Sequence, residues 1–500
     1  MNCNLVPDIV KVAAKDTVIK KHSMVYYKRS VGGRIIEYAE TVWRMLRLKD
    51  FYIRKISLRN YRRFEEKTIY LNKNMNLLIG KNASGKTTVL EAVNVAMGAY
   101  LAAYKEYVPS RFVQNISDSD VRRKNQRTDQ KDVLISSGIE QYPCSVETEL
   151  LMDGHKFVYR RILEKKDSRT KFAASNPMQK EVVRWEKAMK ASDGTDEGLI
   201  LPLVLYLSSA RLWNENKSSE FDDIPNRTDA YHRCLDAKRG MQMPFQYMRY
   251  MKEIAVQEKG GEDFPAYTLI MDAIQESMRV ELNPGERVEY ALRYKGLALV
   301  EADGTWIPFE GLSDGYRDVI KIITDIAVRM CILNPYLKEN TFKETPGIVV
   351  IDELDLSLHP EWQRRIINTL TELFPKVQFI CASHSPFIIQ SLKKGQLISM
   401  DGEIRDEYAG QSIEDIAEDI MGVENPQYSA EKQEMYELAE DYFLALEQAD
   451  KEEDLDRMKE KLNVLTARYG DNPAYYAYLN QKYIDKKAEM GGGVGDEARR

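Results

Sequence analysis

The stretch Gly80-Lys81-Asn82-Ala83-Ser84-Gly85-Lys86-Thr87-Thr88 decides how the rest of this sequence is interpreted. The apolar run 75–79 precedes it, and residues 89–101 after it have helical apolar spacing. A strand, a glycine-rich loop and a helix in this order form a phosphate-binding loop, because backbone N–H groups of the loop and of the first helical turn point at an anion. We expect Lys86 to reach the β- and γ-phosphates of a nucleotide and the Thr87 hydroxyl to bind Mg²⁺.

Two later segments carry the residues that such a loop needs as partners. Ser313 and Gly315 stand where a helical pattern begins, so that a hydroxyl and bare backbone amides are offered to a phosphate. The β-branched run 347–351 predicts a strand buried on both faces of a parallel sheet, and Asp352 and Glu353 follow at its carboxyl end. We expect Asp352 in the Mg²⁺ shell and Glu353 to polarise the attacking water.

Three further residues have two interpretations each. His384 follows a second buried strand, 377–382, and is either a hydrogen-bond partner of the γ-phosphate or its water, or a capping histidine. Gln114, in the polar segment after the loop helix, is either a contact to the metal and the water or an ordinary surface glutamine. Arg211 follows the predicted strand 203–207 and fits either a clamp on the nucleotide or a salt bridge at the surface.

The composition is that of a globular protein. The chain has 500 residues, 43% of them hydrophobic, and no run of 18 apolar residues. Its start carries charges where a secretory segment needs an apolar stretch, so we expect a cytoplasmic protein without membrane contact. The five cysteines include no Cys-x-x-Cys pair, which argues against a zinc site and a disulfide framework.

The net charge of −6 hides a division along the chain. Residues 401–460 contain 21 acidic and 5 basic residues, a net charge of −16, so the other 440 residues carry +10. A basic body fits weak attraction to nucleic acid and equally a solvated surface. Residues 428–488 have three helical patterns, each with an apolar stripe, and predict a small module that either docks a basic partner or packs on itself.

Residues 51–400 resemble the ABC-type ATPase head shared by the RecF, SMC and overcoming-lysogenization-defect proteins. The motifs follow the order of that family, with Walker A at 80–88, the signature at 312–317, Walker B at 348–353, the D-loop at 354–360 and the switch histidine at His384. The resemblance implies an α/β fold, with a RecA-like parallel sheet and an antiparallel β subdomain, and hydrolysis of ATP with Mg²⁺. It also implies that Gly80 to Thr88 cradle the nucleotide, that Thr87, Asp352 and Gln114 hold the metal, and that Glu353 and His384 are catalytic.

In that family two heads enclose two nucleotides, so Ser313 and Gly315 of one copy would complete the Walker A site of the other. The sequence departs from the family at Asp314, where many relatives have a glycine. No heptad repeat joins Lys86 to the signature, which argues against a long coiled-coil arm.

Within the family the signature, the D-loop and the short helical tail are most similar to the ATPases of Septu anti-phage systems, with the retron-associated ATPases close behind. The Septu ATPase works with an HNH nuclease. The resemblance therefore implies an ATP-dependent dimer or higher oligomer that regulates a partner nuclease, with DNA, or a retron reverse transcriptase and its msDNA, as further partners. No His-Asn-His cluster is present in the sequence, so we expect any cutting to belong to a separate chain.

Two other classes of ATPase compete with this interpretation. One is a RecF- or SMC-like repair ATPase that clamps DNA without a nuclease partner. The other, a transporter ATPase, fits poorly because we recognise no signal for coupling to a membrane domain. The predicted organisation is an N-terminal extension at 1–50, a first ATPase lobe at 51–210, a helical insertion at 211–285, a second lobe at 286–405, the helical module at 428–488 and a disordered tail at 489–500.

Overall fold

The computed structural model describes residues 18–21, 24–27, 48, 50–104, 108–124, 138–173, 177–191, 199–212, 226–238, 240–258, 263–402, 408, 410–449, 452–468 and 473–492. The chain divides into two compact units, 1–411 and 412–500. Most of the predicted N-terminal extension and the tail beyond Gly492 lie outside the described residues.

The strands are named in chain order. They are β1 (Val18–Lys21), β2 (Met24–Tyr27), β3 (Phe51–Tyr61), β4 (Phe64–Tyr70), β5 (Met75–Ile79), β6 (Arg123–Lys124), β7 (Ile139–Glu140), β8 (Cys144–Met152), β9 (His155–Leu163), β10 (Lys171–Ala173), β11 (Leu203–Leu207), β12 (Arg287–Ala291), β13 (Gly296–Val300), β14 (Trp306–Pro308), β15 (Gly347–Ile351), β16 (Val377–Ala382) and β17 (Leu397–Ser399).

The α-helices are numbered in the same way. They are α1 (Lys86–Leu101), α2 (Pro177–Ala191), α3 (Gln242–Glu258), α4 (Pro265–Met278), α5 (Asp314–Leu333), α6 (Thr341–Glu344), α7 (Pro360–Leu373), α8 (Pro386–Gln390), α9 (Ile413–Asp415), α10 (Ala430–Glu447), α11 (Glu452–Arg468) and α12 (Pro473–Gly492). Within the described ranges, no helix is both long and apolar enough to cross a membrane.

A parallel sheet forms the centre of the first unit. Its strand order is β11-β15-β16-β5-β17, and every neighbouring pair is parallel. All residues of β5, β11, β15 and β16 are buried, because helices cover a parallel sheet on both faces and their apolar runs need no polar side. The carboxyl ends of β5, β15 and β16 therefore meet at one edge, as the sequence predicts.

An antiparallel sheet in the order β10-β9-β8-β3-β4 accompanies the parallel one. Its β8–β9 hairpin turns at Asp153 and Gly154, which have φ values of 49° and 74°, as an Asp-Gly turn requires. The buried side chain of Gln378 on β16 joins the two sheets, since its Oε1 accepts from the Ile53 N–H at 2.8 Å and its Nε2 donates to the Ile53 carbonyl at 2.7 Å. This amide pair fixes β3 beside the parallel sheet.

The long helix α5 runs through the core of the first unit. From Asp318 to Leu333 every residue is buried, and charged residues are among them. A three-stranded antiparallel sheet, β12-β13-β14, and the two helices α3 and α4 lie between β11 and α5 in the chain. The helices α3 and α4 fall within the predicted helical insertion, 211–285, whereas the meander at 287–308 falls within the predicted second lobe.

The second unit contains the three predicted tail helices, α10, α11 and α12. Their apolar stripes face each other in one core, which includes Met435, Tyr442, Leu446, Leu455, Met458, Leu462, Leu479 and Tyr483. These eight side chains thus take the self-packed alternative and are not free to hold a partner. The disordered tail predicted from residue 489 is wrong for Glu489–Gly492, which continue α12; good helix formers at 486–490 extend a helix past its apolar stripe.

Candidate ATP site

The phosphate-binding loop joins β5 to α1, as the sequence predicts. Gly80 and Gly85 have φ values of 150° and 105°, which favour glycine, and a Cβ on Gly85 would lie 2.4 Å from Cζ of Phe64. Lys86 Nζ donates to the Gly80 carbonyl at 2.8 Å. Burial lowers the pKa of Lys86, and the nearby charge of Asp401 opposes that shift.

A hydroxyl and a carboxylate form the centre of the predicted metal site. Thr87, at the start of α1, donates from Oγ1 to Oδ2 of Asp352 at 3.2 Å. Asp352 follows β15 and is 5% exposed. Burial raises the pKa of Asp352, and the charge of Glu353 raises it further. Mg²⁺ prefers oxygen ligands of these two kinds, so the donor set fits the metal.

A cavity of about 390 Å³ lies over the loop at the carboxyl edge of the sheet. That volume is within the usual range of small-ligand sites. Ser84 Oγ is buried beside it without a hydrogen-bond partner, which leaves a donor for a phosphate oxygen. The lining residues come from four separate segments and are Arg62, Arg63, Asn82, Ala83, Ser84, Gly85, Lys86, Thr87, Thr88, Asp352, Glu353, Ala382, Ser383 and His384.

The two predicted catalytic residues both line this cavity. Glu353 is exposed and has a φ of 50°, an uncommon conformation for a residue other than glycine. His384 follows β16 and is also exposed, and its backbone N–H donates to Oδ1 of Asp355 at 3.3 Å. Their side chains are therefore open to a water molecule in the cavity.

The signature residues form the N-terminus of α5. Ser313 is the N-cap of α5, and its Oγ accepts from the Tyr316 N–H at 3.4 Å. A Cβ on Gly315 would lie 2.8 Å from the Ser357 carbonyl, so the signature packs closely on the D-loop. Asp314 forms an ion pair with Arg317, which offsets its charge. Ser313 and Gly315 do not line the cavity of their own chain.

Gln114 is not brought to the cavity. Its backbone carbonyl oxygen packs closely on Gly98, because a Cβ on Gly98 would lie only 2.2 Å from this oxygen. The same oxygen accepts from Nη2 of Arg161 at 3.5 Å. The segment is held by its backbone against α1 and β9, and the exposed side chain is left outside the site. The metal contact of Gln114 therefore stays a prediction, and no contact among the described residues supports it.

Sequence reasoning missed three residues around the loop. Arg62 and Arg63, in the turn between β3 and β4, line the cavity, and Arg62 is paired with Glu91 and Asp120. Asp401 Oδ2 accepts from the Lys81 N–H at 2.6 Å. The two adjacent arginines shortly before the loop were a usable signal, because guanidinium groups bind phosphates well. Asp401 gave no such signal, since it lies in a polar stretch far along the chain.

These residues have separate roles in ATP hydrolysis. When bound, ATP with Mg²⁺ supplies the scissile phosphoanhydride and the charge neutralisation that phosphoryl transfer needs. Thr87 and Asp352 would hold the metal, Lys86 and the amides of the loop would hold the phosphates, and Glu353 would accept a hydrogen bond from the attacking water. His384 lines the cavity and would donate toward a phosphate oxygen.

The fold and the site define a P-loop ATPase. Comparisons with known proteins agree: a family model described as an AAA domain matches residues 55–262, and a second AAA-domain model matches residues 254–390.

Among individual proteins, the chain is 24% identical to the Retron Vc95 probable ATPase of Vibrio cholerae over 75% of this chain and 79% of that protein. It is 25% identical to the Septu protein PtuA of Bacillus thuringiensis, over 71% of this chain and 80% of the relative. A solved SMC head bound to the C-terminal winged-helix domain of ScpA is 15% identical, covers 71% of this chain and 95% of its own, and gives a TM-score of 0.39. The predicted similarity to Septu and retron ATPases is confirmed.

Proposed function

We propose that this ATPase is a cytoplasmic subunit of an anti-phage defence complex. Two copies, or a higher oligomer, join on ATP and regulate an associated HNH-type nuclease similar to PtuB. The names of the relatives, a Septu PtuA and a retron ATPase, support the defence role, and each similarity extends over more than two thirds of both chains. DNA, or a retron reverse transcriptase with its msDNA, is a further partner of this proposal.

The observation that carries the ATP-dependent assembly is the position of the signature. Ser313 presents a helix N-terminus and its hydroxyl, yet it does not line the cavity of its own chain. A helix start of this kind binds anions, so the phosphate it serves belongs to a second copy. Asp352 and Glu353, in contrast, lie beside their own Walker A loop and act in the same chain.

The assembly is tested with two variants of the full chain. Glu353→Gln removes the water-orienting carboxylate, so ATP should stay bound and the ATP-dependent oligomer should accumulate. Adding Ser313→Arg to it should abolish the oligomer, because a long cation would occupy the place of the hydroxyl. Light scattering after gel filtration, with ATP and without, measures both. Equal oligomers in the single and double variants, at equal ATP affinity, would overturn the shared site.

The nuclease partner is tested by co-expression with a neighbouring HNH protein. We expect the two chains to co-purify and DNA cleavage to change when ATP is replaced by ADP. A chain that binds DNA tightly, ignores the HNH protein and needs no nuclease would instead be a RecF- or SMC-like clamp.

The second unit remains our candidate for docking the partner, but through its charge rather than its stripes. The outer side of α10 carries the exposed acids Glu431, Glu434, Glu437, Glu440, Asp441 and Glu447. Exposed acidic side chains attract a basic partner, and added salt shortens the distance over which this attraction acts. Association should therefore slow as ionic strength rises.

A further inference from the structure

Arg211 lies against the backbone of Asp352 and Glu353. All of its side-chain N–H groups have acceptors. The residue is 6% exposed, and its ion-pair partner Asp318 is fully buried. Nε and Nη2 donate to the two carboxylate oxygens of Asp318, both at 2.6 Å. Nη1 donates to the carbonyl of Asp352 at 2.6 Å and to that of Ser208 at 3.2 Å, and Nη2 also donates to the carbonyl of Glu353 at 2.9 Å. The guanidinium thus joins three segments at one point.

Two of these acceptors belong to the residues on which the chemistry depends. Glu353 has a φ of 50°, and such a conformation costs about 1–3 kcal/mol and persists only where the surroundings hold it. The Arg211 bond to the Glu353 carbonyl and the Leu356 N–H bond to the same oxygen, at 3.0 Å, hold this peptide. The direction of the Glu353 side chain follows from that backbone geometry.

The third segment is the signature helix. Asp318 lies in the second turn of α5, and Ser313 is the N-cap of the same helix. A buried ion pair with two parallel bonds fixes direction as well as distance, because both planar groups must stay aligned. A shift or tilt at the start of α5 therefore moves the guanidinium relative to the carbonyls of Asp352 and Glu353.

We propose that Arg211 is a positioning residue that ties the start of the signature helix to the backbone of Asp352 and Glu353, so that the signature of a head controls the alignment of its own catalytic carboxylate. The inference rests on the proposed function, in which the phosphate met by Ser313 belongs to a second copy. The nucleotide of one copy then acts on the Glu353 of the other through α5 and Arg211.

The same helix offers a matched control. Arg329 and Asp325 form a second buried ion pair, with Nε 2.6 Å from Oδ1 and both side chains 2% exposed. Nη1 of Arg329 donates to the His232 carbonyl at 3.2 Å and also to the Ala230 carbonyl. This pair has the burial and charge of the first one, but it bonds to no residue of the cavity.

The test compares Arg211→Lys with Arg329→Lys in the full chain. Lysine keeps the charge beside each aspartate, but its three N–H groups cannot serve five acceptors in a plane. For Arg211→Lys we expect kcat to fall by about 10- to 100-fold, because a displacement of about 1 Å at the reacting groups costs this much. The Kd for ATP should change by less than about 3-fold, and ATP-dependent association should persist. Arg329→Lys should keep kcat within about 3-fold.

Asp318→Asn is the second variant, because asparagine has nearly the same shape as aspartate. It tests the same contact if Arg211→Lys does not fold. It should lower kcat in the same way, because the amide accepts only one of the two parallel bonds. Wild-type kcat in Asp318→Asn or Arg211→Lys, or an equal loss in Arg329→Lys, would overturn the inference. Failure of the proposed function looks different: the oligomer would be absent in Glu353→Gln with ATP, whatever the result at Arg211.

Discussion

Replacing Asp352 by Asn should stabilise the ligand-free protein while removing its response to Mg²⁺ and ATP. Asp352 is 5% exposed, burial raises its pKa, and the charge of Glu353 adds to the rise. The unfolded chain gives up this proton near pH 4, as a free aspartate does. The folded state therefore holds the proton to higher pH, and stability falls as the pH rises through the raised pKa. At neutral pH the carboxylate is a net cost that the isosteric amide avoids.

The size of this effect follows from the linkage between pKa and stability. Each unit of pKa shift corresponds to about 1.4 kcal/mol of stability, and the upward direction of the shift makes this a gain for Asp352→Asn. An unfolding entropy of about 2.1 cal/mol/K per residue gives about 0.8 kcal/mol/K for a head of roughly 400 residues. The midpoint of thermal unfolding should therefore rise by about 2 °C for each unit of that shift, and this difference from the wild type should shrink as the pH falls through the raised pKa.

With Mg²⁺ and ATP bound, the wild type should have a higher unfolding midpoint than Asp352→Asn, the reverse of the ligand-free order. At about 100 times its Kd, a ligand stabilises the wild type by about 2.7 kcal/mol, whereas the variant lacks a metal ligand and gains less. Thermal unfolding with EDTA, and with Mg²⁺ and ATP, measures both states. Glu353→Gln is the control: it removes only the smaller cause of the raised pKa, so it should raise the ligand-free midpoint by less than Asp352→Asn does, and it should keep the ATP response. A lower ligand-free midpoint for Asp352→Asn would refute the reasoning.

Three further changes probe the loop, the base and the second unit. Glu353→Gln should lower ATP turnover by about 10²–10⁴-fold, measured as phosphate release, and wild-type turnover would reject Glu353 as the base. Lys86→Ala should weaken ATP binding by at least about 10-fold in equilibrium dialysis, and unchanged affinity would exclude the predicted phosphate contact. Removing residues after 411 should leave a head that binds ATP, because the second unit has its own core; a precipitating head would make that unit a structural cap.

Sequence reasoning placed most of the parallel sheet and of the site beside it. The runs 75–79, 203–207 and 347–351 are strands within these bounds, because buried parallel strands are continuously apolar and end at polar residues. The same logic brought Asp352 and His384 to one cavity. Each Walker-type motif consists of consecutive residues, so its geometry can be predicted from the local sequence.

What the sequence did not reveal depends on contacts between distant segments. Arg211 was compatible with a surface salt bridge, and only the fold places Asp318 beside it in the core. Gln114 was chosen for its place after the loop helix, but the approach of Gly98 and Arg161 to its backbone decides its location. The apolar stripes of the tail predicted its helices correctly, whereas the choice between binding a partner and self-packing depends on contacts between the helices that the sequence does not show.

The order of strands in the parallel sheet has a consequence for how the protein is made. The strand before the phosphate-binding loop, β5, lies between β16 and β17, with Met75 opposite Phe379 and Leu77 opposite Leu397. Both neighbours leave the ribosome about 300 residues after β5, a delay of about 15–60 s at roughly 5–20 residues per second. Until then the mostly apolar β5 has no partner on either edge, and the growing chain needs protection from aggregation. A nascent or prematurely ended chain therefore lacks a nucleotide site, so only a finished head acquires activity.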